Sequence, residues 1–240
     1  AYATPLDARP CGGLVEPGES LRSGVWPRSL AVWMAAAYVA LFIIRPWEIV
    51  PWLAEIRLER LYAAAMLAVV VGSGRLWLRL DMQTFAAAMF LGCLGASAVL
   101  AWRPELSFGP LYVYATLLAF YLVLASVVRT TYELTFLASA YIAAMAAYLA
   151  KSEWEFFFHG RCRFNQGVTR LIGIDRTFSE PNELALSIAV SLPVLLFLYR
   201  VRGEFCRDWP RRRRRLYSLG LAAYLALAAE ALPQIARLHR

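Results

Sequence analysis

The chain has 240 residues, 60% of them hydrophobic and 18% charged, with a mean hydropathy of +0.51. A soluble globular domain has about half its residues apolar and about a quarter charged, so this balance excludes one. The net charge of +8 comes almost wholly from arginine, with Lys151 the single lysine. Because those arginines fall between apolar runs, the charge does not indicate a nucleic-acid partner.

The apolar residues come in long blocks, the pattern of an all-α, polytopic transmembrane helix bundle. Residues 1–29 are a polar, turn-rich tail without the basic end and apolar centre of a signal peptide. The first span is expected at 30–44, closed by Arg45-Pro46-Trp47, with Trp33 and Trp47 near the two interfaces. Residues 46–60 mix apolar and charged side chains and read as a short helix lying on the membrane face. Further spans are expected at 61–74, 82–102, 110–128 and 133–150. In the last of these, Ser139, Ala143 and Ala147 form a small-residue stripe suited to close packing. An outer loop follows at 151–180, then spans at 181–199 and 216–232 and a tail at 233–240. About seven spans result. Pro193 is expected to kink the sixth.

Orientation follows from the arginines. Arg200 to Arg215 holds eight of them, five consecutive, and should be cytoplasmic. Alternation then puts the N-terminus in the cytoplasm and 151–180 outside. Cytoplasmic segments collect 14 Lys and Arg against 11 outside, so the outer loop carries more cations than the rule favours. The five-arginine run reads as a topology signal and a contact for anionic membrane lipids.

The most specific chemistry lies between Arg170 and Pro193. Arginine-bearing polar sequence runs into Ser179-Glu180-Pro181-Asn182, and an apolar helix starts at once, with Pro181 suited to its first turn and Glu183 following. The N–H groups of that helix start could receive an anion beside Arg170 and Arg176. Guanidinium offers planar paired donors to phosphate, which makes Arg161, Arg163, Arg170 and Arg176 candidate diphosphate ligands. The competing role is snorkelling to lipid headgroups or pairing with Glu153, Glu155, Asp175 or Glu180. Glu180 and Glu183 would repel phosphate unless paired or turned away. Asn182 either satisfies local backbone or touches a sugar, and Arg45 either reaches the same outer face or anchors the first span. His159, beside three phenylalanines, suits a structural role better than that of a base. The four cysteines show no CxxC pair or zinc spacing, so no metal site and no structural disulfide is expected. No nucleophile triad or carboxylate pair is evident, and catalytic residues are not assigned.

The order Arg170, Gly173, Phe178, Glu180-Pro181-Asn182-Glu183-Leu184-Ala185, Leu192-Pro193, with Arg45-Pro46 after the first span, resembles the O-antigen ligase and polymerase family. The resemblance implies transfer of a glycan from an undecaprenyl-diphosphate carrier to an acceptor glycolipid or glycan, at the outer face of a bacterial inner membrane. It implies no metal, nucleotide or other cofactor, because the donor's diphosphate bond carries the energy. It also implies that Arg170, Arg176, Asn182, Arg163, Arg161 and Arg45 bind the lipid diphosphate and glycan. The match covers residues 30 to 230, the front part of such a protein, whose members carry a second large outer loop. The chain is therefore expected to hold part of the donor site and to be inactive alone. The alternative class is a non-enzymatic transporter bundle or partner subunit, for which repeats or charges inside spans would be expected.

Overall fold

The computed structural model describes residues 27, 29–49, 51–74, 81–165, 168–173 and 180–236. They form nine helices and one hairpin: α1 (Leu30–Ile44), α2 (Pro46–Ile49), α3 (Pro51–Glu55), α4 (Leu58–Gly72), α5 (Met82–Leu100), α6 (Pro104–Val127), α7 (Thr131–His159), β1 (Cys162–Asn165), β2 (Val168–Leu171), α8 (Pro181–Phe205) and α9 (Arg211–Ala236).

Local chemistry sets the helix starts. The Asp81 carboxylate accepts from the Thr84 N–H at 2.8 Å and starts α5. Thr130 Oγ1 accepts from the Glu133 N–H at 3.1 Å, while the Glu133 carboxylate accepts from the Arg129 N–H at 2.9 Å. This two-way arrangement, close to a capping box, starts α7. Prolines occupy the first turns of α6 and α8, where the missing N–H costs nothing.

Five helices, α5 to α9, are long and apolar enough to cross a membrane. By length and composition the protein is thus a multi-pass, mainly helical membrane protein. The two other segments expected to span, α1 and α4, have 15 residues each. At 1.5 Å per residue that is about 22 Å, short of a hydrocarbon core about 30 Å thick.

Helix α7 is the centre of the packing. It lies against α1, α8, α9 and β2. Its buried side chains Ile142, Met145, Tyr148 and Leu149 join Leu184, Ile188 and Leu198 of α8, Tyr224, Ala228 and Ile235 of α9, and Leu171 of β2 in the main core. A second core joins α1, α4 and α6 through Val32, Tyr38, Met66, Val70 and Val127. Helix α5 packs chiefly on α6. Apolar rings such as Phe85 and Phe90 on α5 and Tyr112 on α6 stay exposed, as lipid-facing surface does.

Two features depart from the sequence reading. The stripe expected to pack closely does so only at Ser139, whose hydroxyl meets Tyr217 of α9 at 2.8 Å. Ala143 and Ala147 are exposed, because the larger side chains on the neighbouring face bury more apolar surface. The expected loop 151–180 begins as helix, since α7 continues to His159, and α9 runs into the expected tail as far as Ala236.

The two ends of the bundle are distinct. Tyr132 of α7, Phe205 and Cys206 at the end of α8, and Tyr217 of α9 cluster at one end. Leu149, Leu171, Leu184 and Ile235 meet toward the other. The hairpin and the arginine run therefore lie at opposite ends of α9.

Candidate functional site

The hairpin end gathers most of the sequence's candidate residues. Helix α7 stops at Gly160, whose φ of 64° is left-handed and whose N–H reaches Glu155 O. Glycine takes this cap without the strain a Cβ would bring. The chain then turns into β1. The antiparallel register sets Cys162 opposite Leu171 and Arg163 opposite Arg170. Leu171 is fully buried in the main core, and this anchors the hairpin on α7 and α9.

Successive strand residues point to opposite faces, so Arg163 and Arg170 share the face that Leu171 does not use. Like charges directly opposite destabilise a hairpin unless something neutralises them. One of the two is neutralised: the Arg163 guanidinium is hydrogen-bonded to the Glu180 carboxylate, which precedes α8. That pair straps the hairpin to the start of α8 and holds Arg163 in its charged form. It also removes one carboxylate's repulsion from the helix start. Arg170 is different. It is half-buried, and its Nε is enclosed without a hydrogen-bond partner among the described residues.

The other candidates are placed as follows. Arg45 closes α1 in a left-handed conformation, donates from Nε to Phe42 O at 3.4 Å, and lies 5.4 Å over the Phe42 ring. Its end of α1 joins the main core through Ile43, and the Phe42 contacts are within its own helix. Asn182 is exposed in the first turn of α8. Arg161 is exposed, and its N–H donates to Glu155 O at 3.0 Å. Arg176 lies outside the described residues. His159 faces Glu155 one turn back, with Nδ1 at 3.6 Å from Oε2, which favours its structural role.

Sequence reasoning gave no role to Ser152 or Gln234 and took Glu153 only as a partner for the outer arginines. Ser152 and Glu153 are buried near the end of α7, and Ser152 Oγ, Glu153 Oε1 and Gln234 Oε1 are all enclosed without hydrogen-bond partners among the described residues. Glu230, one turn before Gln234, acts electrostatically on Glu153. The signal was present in the spacing: Met145, Tyr148, Leu149, Ser152 and Glu153 continue one helical face. Reading 151–180 as a loop hid it. Buried polar atoms without partners carry a desolvation cost. This end thus holds one unsatisfied guanidinium nitrogen on the hairpin and unsatisfied oxygens on α7 and α9 among the described residues.

Comparison with family models, with curated proteins and with solved structures yields no match to this chain.

Proposed function

We propose that the hairpin end binds the diphosphate of a lipid-linked glycan, and that the chain acts in glycan transfer of the O-antigen ligase and polymerase kind. In this reading the protein sits in a bacterial inner membrane with about seven spans, α1 and α4 being the two short ones. The N-terminus is cytoplasmic and the hairpin faces outward. The eight arginines at 200–215, at the opposite end of α9 from the hairpin, support that orientation.

The observation that carries the proposal is the Arg163–Arg170 pair across the hairpin, beside the start of α8, with Glu180 engaging Arg163 and the Arg170 Nε enclosed without a partner among the described residues. A diphosphate would supply the missing partner for Arg170, and its lipid tail would lie along the apolar helices. Transfer exchanges the sugar–diphosphate bond for a bond to an acceptor hydroxyl, with the diphosphate leaving on its carrier. Retaining that diphosphate is the role given to Arg170; activation of the acceptor is not assigned to any residue.

The test is binding of undecaprenyl diphosphate to the purified chain. Charged hydrogen bonds contribute about 1.5–3 kcal/mol each, so Arg170→Gln should weaken binding by roughly tenfold or more. Arg170→Lys should keep part of it, since a point charge replaces a paired donor. Equal affinity for undecaprenol without phosphate, or no loss with Arg170→Gln, refutes the reading.

A further inference from the structure

The opposite end of the bundle carries a second arrangement that glycan transfer does not use. Arg211, Arg214 and Arg215 line a surface depression of about 520 Å³ together with Ser218 and Leu219. These positions fall at i, i+3, i+4, i+7 and i+8, so they form one stripe down α9. The stripe passes from three guanidinium groups to a hydroxyl and then to an apolar side chain. It continues along the helix over Ala222, Leu225 and Ala226, all exposed.

The charge on this stripe is uncompensated. All five arginines from 211 to 215 are exposed, and none forms an ion pair with a carboxylate among the described residues. They also occupy the first turns of α9, where the helix dipole is positive and cations are disfavoured. Arg202 of α8 adds to the same field: its guanidinium stacks 3.8 Å from the Tyr199 ring, and it acts on Cys206 together with Arg214. An anion is the partner this geometry lacks. The apolar continuation below it, on a helix long enough to cross a membrane, says what the anion is attached to.

We propose that this stripe is a binding site for one anionic phospholipid. Arg211, Arg214 and Arg215 hold the headgroup phosphate, the Ser218 hydroxyl donates to it, and an acyl chain lies along Leu219 and the exposed face beneath. Guanidinium suits this role because it stays charged at the interface and presents paired donors to phosphate oxygens. The site is independent of the hairpin end and of the donor-binding reading.

The test is native mass spectrometry of the purified full chain with dioleoylphosphatidylglycerol or dioleoylphosphatidylcholine added. The wild-type chain should retain the anionic lipid in preference to the zwitterionic one. Two double variants remove equal charge: R211Q/R214Q on the stripe and R212Q/R213Q off it. Their topology signals are matched, so a difference in binding reports the site. The stripe variant should lose about 30-fold in affinity for phosphatidylglycerol, and the off-stripe variant about threefold or less. Equal losses in the two variants, or equal retention of the two lipids, overturn the site. Leu219→Ser should weaken lipid binding as well. If it does not, and inorganic phosphate displaces the lipid, the stripe holds a free anion and the lipid assignment is wrong.

Discussion

The contact between Ser191 on α8 and Tyr224 on α9 makes an unequal prediction about its two partners. Both residues are fully buried, and their hydroxyls are hydrogen-bonded to each other. Ser191 Oγ also lies 2.6 Å from Ile188 O, to which it donates. With its proton used there, Ser191 accepts from Tyr224, whose hydroxyl has no other hydrogen-bond partner among the described residues. Ser191→Ala therefore leaves a phenolic hydroxyl enclosed without an acceptor, a cost of about 1–3 kcal/mol. Tyr224→Phe keeps the ring packed and leaves Ser191 bonded to Ile188 O. It removes one interhelical hydrogen bond, about 0.6 kcal/mol on average between membrane helices. The double variant replaces both hydroxyls and should be less destabilised than Ser191→Ala alone, a negative coupling of about 1 kcal/mol. The assay is reversible unfolding of the full chain in mixed micelles, with helicity as readout. If Tyr224→Phe costs as much as Ser191→Ala, or if the two costs add, the assigned donor direction is wrong.

Two further outcomes follow from the same structure. The Cys206 thiol, just past the end of α8, is pushed above its ordinary range by burial, with Arg214 and Arg202 opposing the shift. The folded state then holds its proton to higher pH than the unfolded state does, so stability is retained below the unfolded thiol's pKa and falls as pH rises toward the folded one. Alkylation of Cys206 should accordingly be slower than that of half-exposed Cys162 near pH 8, and equal rates there would contradict the burial. Gly160→Ala should destabilise by about 1 kcal/mol, because the φ of 64° is costly for a residue with a Cβ. A Cβ there meets nothing within 4 Å, so the cost is purely conformational, and Gly160→Asn should recover part of it in thermal unfolding.

Much of the fold was legible in the chain because membrane helices are specified locally. Every backbone group in a helical apolar span is satisfied within its own segment, so the long apolar runs at 82–102 and 181–199 read directly as helix. The start of α8 was equally plain, since Pro181 fits a first turn and Glu183 follows. What the sequence could not supply was which polar groups meet. Arg163 and Arg170 are seven positions apart, and only the hairpin register sets them opposite each other. Glu180 looked like a repulsive neighbour of the helix start until the strand brought Arg163 to it. Glu153 and Ser152 read as loop residues, yet packing against β2 and α9 extends α7 and encloses them. Ala143 and Ala147 had the right spacing for a helix contact, and larger side chains beside them took the interface. Local rules fix which segments become helices, because the bilayer leaves the backbone no other choice. The partners of buried charges depend on contacts between segments far apart in the chain, and those the tertiary structure alone decides.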